Sequence, residues 1–280
     1  MISEDWTHDE LLAALEWQIA VGVDETIDEN PADSYALALA QKENAAKPRP
    51  SSQLPSAAAP KTLKPSPAKR ALQSLQKTLA EAKQLADTAE NLTDLGIALK
   101  SFDGCTLKKT AISTVFENQT GTAETMIIMG PPRADEDRDG KSVAGLNRKL
   151  LENMLKSIGL TLEKTYITSC VFWRPPGDKK PTTNDLSCCK PFIDRQIELV
   201  SPKVLILMGE TTLRGFIDPD ASLLRQRGKW TSYTTAGGTN TKTISTFAPH
   251  MLLNTPRQKA LAWQDLRQIR DQLNKVNDKA

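Results

Sequence analysis

The chain has 280 residues, of which 39% are hydrophobic and 25% are charged, and these proportions fit one well-cored domain with a tail better than two domains. The formal net charge of +2 gives no global signal for nucleic acid, so any basic surface must be local. No apolar run approaches the ~18 residues that suggest a membrane span, and the acidic start MISEDWTHDE lacks the apolar core of a signal peptide. We therefore expect a cytoplasmic protein without a membrane segment, and its four cysteines suit a reducing compartment.

The first 70 residues differ in composition from the rest of the chain. Residues 1–40 predict a helical extension, because residues 5–21 place leucines and Ile19 at helical spacing. Residues 41–70 are rich in Ala, Pro, Ser and Lys, and they predict a disordered linker that cannot bury a core. Its basic residues would either add phosphate contacts or form a solvated spacer. We expect a monomer, in which the helices of 1–40 are the candidate surface for a protein partner.

Residues 71–280 predict the folded domain, in which strands alternate with helices. The predicted helices cover 72–85, 92–100, 146–158, 186–199, 211–216 and 257–274. The predicted strands are 125–129, 166–168, 204–208 and 242–247. The acidic segment 135–140 and the basic segment 224–230 are predicted as loops. This alternation indicates an α/β domain with a mostly parallel sheet.

The segment 166–209 has the pattern strand, long loop, helix, strand. Arg174-Pro175-Pro176-Gly177 ends the first strand, because the prolines remove backbone donors. A polar loop follows, and Asp185 is placed to cap the next helix. The apolar run 204–208, closed by Gly209, is typical of a strand buried on both faces. The long loop follows the carboxyl end of its strand, where open α/β sheets place ligands, so we expect the functional site there.

Three stretches of the domain together match a known family. Residues 136–160 contain EDRDG and KLLENMLKSIGL, residues 166–209 contain YIT, RPPGDKKPTTNDL and PKVLILMG, and residues 227–266 contain RGKW and TFAPHMLLNTPRQKALAWQDL. In order and spacing they resemble the iron–sulfur (family 4) uracil-DNA glycosylases, from about Ala98 to the C-terminal helix. The resemblance implies a three-layer α/β/α fold, DNA as the partner, and hydrolysis of the N-glycosidic bond of a nucleotide flipped out of the duplex.

The resemblance places the substrate pocket at positions where the usual residues are replaced. The E-A-P-G part of the family's first motif corresponds to Gly130-Pro131-Pro132-Arg133, so a glycine takes the position of the acid that handles the water. The aromatic that stacks on uracil falls at Val143, and the amide that reads the uracil edge falls at Ser169. The histidine that stabilises the departing uracil falls at Ala248, two residues before His250. Arg133 would bring a cation into the pocket, either to bind a phosphate or to fill space.

The family's cofactor, a 4Fe–4S cluster, has lost half of its expected ligands. The family's C-x-x-C reads Phe102-Asp103-Gly104-Cys105 here, and the cysteine before Arg174 is Trp173. Only Cys105 and Cys189 remain of the four thiolates that such a cluster needs. We therefore expect no bound cofactor, with Phe102 and Trp173 as apolar filler. The alternative is a metal site rebuilt from all four cysteines, Cys105, Cys170, Cys188 and Cys189.

The favoured hypothesis is a glycosylase-like protein of base-excision repair with lost or much reduced uracil excision and retained DNA binding. The positions that build the fold are present, while the positions that carry the chemistry are replaced. The candidate phosphate contacts lie on two loops that the family fold brings to the DNA: Arg174, Lys179, Lys180, Arg225, Arg227 and Lys229. These cations could equally be ordinary surface charge, and Arg174 with its two prolines could be mainly structural.

The alternative hypothesis is an active DNA glycosylase, for uracil or another damaged base, with a rebuilt site. In it His250 serves the leaving group and the acidic segment supplies a carboxylate for the water. The candidate carboxylates are Asp135, Glu136, Asp137 and Asp139. Against this, His250 could simply be a partly buried residue at a helix entry, and Asp and Gly are common in solvated turns.

Overall fold

The computed structural model describes residues 67–118 and 123–277. The helices predicted for 1–40 and nearly all of the linker predicted for 41–70 lie outside these residues. Helix α1, Pro67–Asp87, begins ahead of the predicted domain start at Ala71. Within the described ranges, no helix combines the length and the apolar character that crossing a membrane requires.

The centre of the domain is a five-stranded sheet with the strand order β2-β1-β3-β5-β4. Its strands are β1 (Thr125–Met129), β2 (Thr165–Ser169), β3 (Val204–Met208), β4 (Trp230–Thr234) and β5 (Asn240–Thr246). All neighbouring pairs are parallel except β4 and β5, which are antiparallel. The predicted α/β class with a mostly parallel sheet is confirmed. The edge strand β4 was not predicted, and its first residue lies in a segment that the sequence indicated as a loop.

Helices precede, connect and follow the strands. After α1 they are α2 (Leu92–Ser101), α3 (Ala134–Asp139), α4 (Gly145–Lys156), α5 (Thr183–Val200), α6 (Glu210–Phe216), α7 (Leu223–Gln226), α8 (Pro249–Asn254) and α9 (Lys259–Asn277). The prediction of a loop at 135–140 was wrong, because α3 occupies nearly all of that segment. The loop predicted at 224–230 is shorter than expected: residues 227–229 are irregular, while 224–226 belong to α7 and 230 begins β4. Helix α3 forms because the Glu136 carboxylate accepts a hydrogen bond from the backbone N–H of Arg133 at 3.2 Å, and Gly140 ends it with a φ of 65°.

Alternate residues of the strands face two separate layers of core. Ile128 of β1 belongs to a cluster with Phe172 and Phe192, the latter on α5. Ile127, its neighbour, belongs to a second cluster with Leu155 of α4 and Leu266 of α9. Since successive side chains of a strand point to opposite faces, helices cover the sheet on both sides. The three-layer α/β/α arrangement implied by the family resemblance is thereby confirmed.

Helix α5 begins with a reciprocal capping arrangement. The Thr182 hydroxyl accepts from the backbone N–H of Asp185 at 3.2 Å, and the Asp185 carboxylate accepts from the backbone N–H of Thr182 at 2.9 Å. The predicted cap at Asp185 was therefore misplaced: Thr182 is the N-cap, and Asp185 is its partner in the first turn. This box fixes the end of the long loop that joins β2 to α5.

A buried ion pair joins helix α9 to the loop before β4. The Arg227 guanidinium donates from Nη2 to Asp265 Oδ1 at 2.6 Å and from Nε to Oδ2 at 3.0 Å. Its Nη2 also donates to the carbonyl of Leu261, and the Thr246 hydroxyl donates to Asp265 Oδ2 at 2.7 Å. The Asp265 side chain is fully buried and that of Arg227 is 14% exposed. Arg227 is thus held inside the domain, whereas it had been predicted to contact DNA.

Candidate functional site

A cavity of about 270 Å³ opens at the carboxyl ends of β1 and β3. Four short segments line it, each following a strand or starting a helix on the same side of the sheet. They comprise Gly130, Pro131, Pro132 and Arg133 after β1; Asp178, Lys179 and Lys180 in the loop after β2; Met208, Gly209, Glu210 and Thr211 after β3; and His250 and Met251 at the start of α8. The cavity therefore lies at the edge of the sheet where ligands bind in open α/β folds.

Gly130 leaves open space in this cavity. A Cβ atom built on Gly130 would meet no other atom within 4 Å. The position that carries the water-handling acid in the resembling family is therefore neither filled nor blocked by a neighbour. The cavity has no side chain of any kind at that point.

Two of the acidic residues predicted to handle water are bound to backbone amides instead. The Glu136 carboxylate accepts from the backbone N–H of Arg133 and, at 3.1 Å, from that of Ala144. The Asp137 carboxylate accepts from the backbone N–H groups of Ile112 and Ser113 at 3.0 and 3.1 Å. Both side chains are almost completely buried. Their observed contacts fix the starts of α3 and α4 and the segment before β1.

The remaining acids near the cavity are paired with arginines. Asp135 and Asp139 are exposed, and each forms an ion pair with Arg138 at 3.0 Å. Of the two acids that line the cavity, Asp178 accepts from Arg174 at 2.7 Å. Glu210 forms an ion pair with Arg214, also at 2.7 Å. No carboxylate among the lining residues is without a cationic partner.

His250 lies where the alternative hypothesis requires it, at the cavity wall. Burial, and to a smaller extent the nearby Arg133 guanidinium, together lower its pKa to about 4. The imidazole is therefore neutral at pH 7, with one nitrogen able to donate a hydrogen bond and the other able to accept one.

This state of His250 predicts an unusual titration. His250 should titrate near pH 4 in the folded protein, and Arg133→Gln should move the midpoint upward while leaving it below 6.5, because burial is the larger cause. The unfolded imidazole gains its proton between about pH 6.5 and pH 4 and the folded one does not, so this group's contribution to stability falls as the pH falls through that window. NMR of the imidazole protons checks this, since the chain has two histidines and His250→Gln assigns the signal. A midpoint at or above 6.5 would contradict the buried, neutral state.

Three positions implied by the family resemblance do not reach the cavity wall. Val143, Ser169 and Ala248 are fully buried, and none of them is among the lining residues. The Ser169 hydroxyl has no hydrogen-bond partner in the described part of the chain. At these positions the stacking and edge-reading contacts implied by the family resemblance therefore have no counterpart in the cavity wall.

The predicted DNA contacts divide into three groups. Lys179 and Lys180 line the cavity and are exposed. Arg225 and Lys229 are also exposed but lie outside the cavity lining. Arg174 is held by Asp178, and Arg227 by Asp265. The cations that remain available at the surface are therefore Lys179, Lys180, Arg225 and Lys229.

Aromatic side chains occupy two of the positions at which the family resemblance implies cluster cysteines. Phe102 and Trp173 are almost completely buried. The ring of Phe102 lies 5.3 Å from that of Phe192, and the ring of Trp173 lies 6.1 Å from that of Phe172, measured between centroids. The Trp173 indole Nε1 donates to the Thr114 hydroxyl at 3.1 Å, so its single polar group is satisfied.

The four cysteines lie near this aromatic group as buried free thiols. Burial raises the pKa of Cys170 to about 12 and that of Cys188 to about 11. A hydrogen bond from Cys189 lowers the pKa of Cys105. Within residues 67–118 and 123–277, no three His, Cys, Asp or Glu side chains form a group able to hold a metal ion. The residues present do not fit a four-thiolate cluster, and the structure does not assemble the rebuilt metal site that the four cysteines suggested.

Part of the cavity wall was missed by sequence reasoning. Residues 208–211 and Asp178 contribute to it, and Glu210 brings an acid with its own arginine partner. The sequence contains a signal for residues 208–211. β3 is a continuous apolar strand closed by Gly209, and the carboxyl ends of neighbouring parallel strands meet at one edge of the sheet. Asp178 was less visible, since its position depends on left-handed backbone at Gly177 and at Asp178 itself, with φ values of 64° and 54°.

The domain is similar in sequence to known proteins. Residues 117–267 match the model of the Uracil DNA glycosylase superfamily. Over 155 residues the chain is 29% identical to the type-4 uracil-DNA glycosylase of Sulfurisphaera tokodaii, covering 53% of this chain and 70% of that protein. Over 193 residues it is 28% identical to that of Saccharolobus solfataricus, covering 66% and 88%. Over 136 residues it is 33% identical to that of Thermotoga maritima, covering 48% and 69%.

Proposed function

The chain belongs to the uracil-DNA glycosylase superfamily, and from this premise we propose that it is a DNA-binding member in which uracil excision is lost or much reduced. The family relates it to DNA repair. The step that would be lost is the hydrolysis of the N-glycosidic bond, because the cavity lacks groups that assist it.

One observation supports the loss of excision: no free carboxylate faces the cavity. Gly130 offers no side chain, Glu136 and Asp137 hold backbone amides, and the lining acids Asp178 and Glu210 are paired with arginines. Hydrolysis needs a positioned water, and a carboxylate already committed to an arginine or to two amides is a poor acceptor for its proton. Losing one stabilising group in such a site typically costs about 10²–10³ in rate, and here several are replaced together.

The exposed cations support DNA binding. Lys179 and Lys180 border the cavity, Arg225 lies on α7, and Lys229 lies in the loop between α7 and β4. Side chains of this kind bind phosphate oxygens and position a protein on nucleic acid without reading its sequence. Arg227, held by Asp265, is proposed to keep that loop in place. A monomeric state, a cytoplasmic location and a protein partner for the N-terminal helices stay predictions from the sequence.

His250 favours the second candidate function, an active glycosylase with a rebuilt site. A neutral imidazole at the cavity wall can donate a hydrogen bond to a leaving base, which is the role of the histidine that Ala248 replaces. Its damaged base would be uracil or another lesion. This candidate still lacks a group to activate water, so we place it second.

A glycosylase assay separates the two candidates. The substrates are matched single-stranded and duplex DNA with one uracil, and the proteins are the wild type, His250→Ala and a type-4 relative as positive control. We expect the wild type to be at least about 100-fold slower than the relative, while retaining the DNA in a gel-shift assay. Cleavage at the relative's rate that disappears in His250→Ala would establish the rebuilt site and overturn the favoured proposal.

A further inference from the structure

Three cationic side chains from two loops meet at the cavity. Arg133 follows β1, and Lys179 and Lys180 belong to the loop after β2. All three are exposed, and among the ion pairs of the described residues none involves them. The lining acids Asp178 and Glu210 are each ion-paired with an arginine outside the lining, Arg174 and Arg214. The cavity therefore carries an uncompensated positive charge.

The neighbouring imidazole responds to that charge. Burial, and after it the nearby Arg133 guanidinium, lower the pKa of His250. His250 therefore stays neutral beside the cation and offers a hydrogen-bond donor without adding a competing charge. A cationic wall with a neutral donor at its edge suits a small anion.

The same wall is poorly suited to a neutral base. The position that stacks on uracil in the resembling family is Val143, which is buried away from the lining, and the edge-reading position is the equally buried Ser169. The wall therefore lacks stacking and edge-reading side chains at these two positions, while its cations suit a compact charged group.

We propose that this cavity binds a phosphate monoester, either the terminal phosphate of a DNA strand or that of a free mononucleotide, where the family's relatives are expected to take a flipped base. The inference rests on the DNA binding proposed above. A phosphate monoester carries about −1.5 to −2 charges at pH 7, against one for a phosphodiester, so it gains most from several converging cations. The Arg133 guanidinium can engage two of its oxygens at once, and the lysines act as adjustable point charges.

Two adjoining grooves provide room for the rest of the ligand. A groove of about 310 Å³ shares Arg133, Asp178 and His250 with the cavity. A second groove, of about 350 Å³, shares Lys180, Glu210 and Thr211 with it and continues along Leu186 and Phe216. The cavity thus adjoins two grooves, either of which can take the strand that leads away from a terminal phosphate.

The test compares labelled oligonucleotides that differ only at one end. Fluorescence anisotropy is measured for a strand with a 5′-phosphate, the same strand with a 5′-hydroxyl, and a third with a 3′-phosphate. The wild type should bind at least one phosphorylated strand about tenfold more tightly than the hydroxyl strand. Arg133→Gln should remove that preference. Arg225→Gln, which changes an exposed cation outside the lining, should weaken all strands alike and keep the preference.

Competition identifies the source of the phosphate. If deoxyuridine monophosphate displaces the phosphorylated strand and deoxyuridine does not, the cavity accepts free mononucleotides; if only phosphorylated DNA displaces it, the ligand is a strand end. Equal binding of all three strands by the wild type, or a preference that persists in Arg133→Gln, overturns the inference but leaves the proposed DNA binding standing. Binding of none of the strands overturns both.

Discussion

Arg227→Met is expected to lower the free energy of unfolding by about 3–5 kcal/mol, because it leaves a buried carboxylate without its cation. The Asp265 side chain is fully buried and receives two hydrogen bonds from Arg227 and one from Thr246. Methionine keeps much of the apolar stem and removes the guanidinium. The Thr246 hydroxyl alone cannot compensate a charge taken out of water.

The effect of Arg227→Met should depend on pH in one direction. Burial already raises the pKa of Asp265, and Arg227 opposes that rise. Without Arg227 the folded-state pKa rises further, so the variant regains stability when the carboxyl group is protonated and loses it as the pH rises through that pKa. The deficit relative to the wild type should therefore be smaller in acid than at neutral pH.

Urea denaturation followed by tryptophan fluorescence measures this difference. The matched control is Arg270→Met, which removes one partner of the exposed pair Arg270–Asp271, with side chains 42% and 56% exposed. Exposed pairs of this kind contribute about 0–1 kcal/mol, so the control should change little. Equal midpoints for the two variants would show that Asp265 is not dependent on Arg227, and would reopen a role for Arg227 at the DNA.

Trp173→Cys is expected to destabilise the domain by about 3 kcal/mol or more, although it restores the residue found at that position in the family. The indole ring is almost completely buried and packs near Phe172. Cysteine would leave a cavity in the aromatic cluster and would leave the Thr114 hydroxyl without its partner. We also expect no iron to bind, since Phe102 still occupies a ligand position.

Two measurements test this second prediction: urea denaturation, and iron content after anaerobic reconstitution. The double variant Phe102→Cys/Trp173→Cys supplies both missing ligands and is the stronger test. Trp263→Cys is the control, because Trp263 is 42% exposed and surface substitutions usually change stability by less than about 0.5 kcal/mol. A double variant that binds stoichiometric iron with wild-type stability would mean that the site has kept the geometry of a cluster.

The elements that could be predicted from the sequence are those whose signal is local. The run 204–208 is continuously apolar, and β3 is where that pattern places it. Strand β4 was not predicted, because Ser232 and the threonines of WTSYT give no clear alternation of apolar and polar residues. The Asp and Gly content of the acidic segment 135–140 predicts a loop there. The helix in this segment is stabilised by hydrogen bonds to the Glu136 carboxylate, and one of these comes from the backbone N–H of Ala144, beyond the end of the helix.

The candidate site also has parts that could be predicted from the sequence and parts that could not. The edge of the sheet that carries it followed from the long loop after β2, and Arg133 and His250 followed from the family resemblance. The partners of its charges did not, because Arg227 and Asp265 are separated by 38 residues and meet through packing. Pairings of this kind decide which acids and bases remain available for chemistry, and no periodicity or motif encodes them.

The open space at Gly130 makes positions 130 and 173 unequal in how easily they accept the residues that the family resemblance implies. The Cβ of a side chain introduced at position 130 would meet no neighbour within 4 Å. Position 173 offers no such step, because a change there must be matched at Phe102 and in the surrounding aromatic rings before it gives any benefit. In a library selected for uracil excision, we would therefore expect acidic residues at 130 to appear early and repeatedly, with Trp173 unchanged. A single substitution can therefore bring an acid to position 130, whereas the positions of Phe102 and Trp173 require several simultaneous changes.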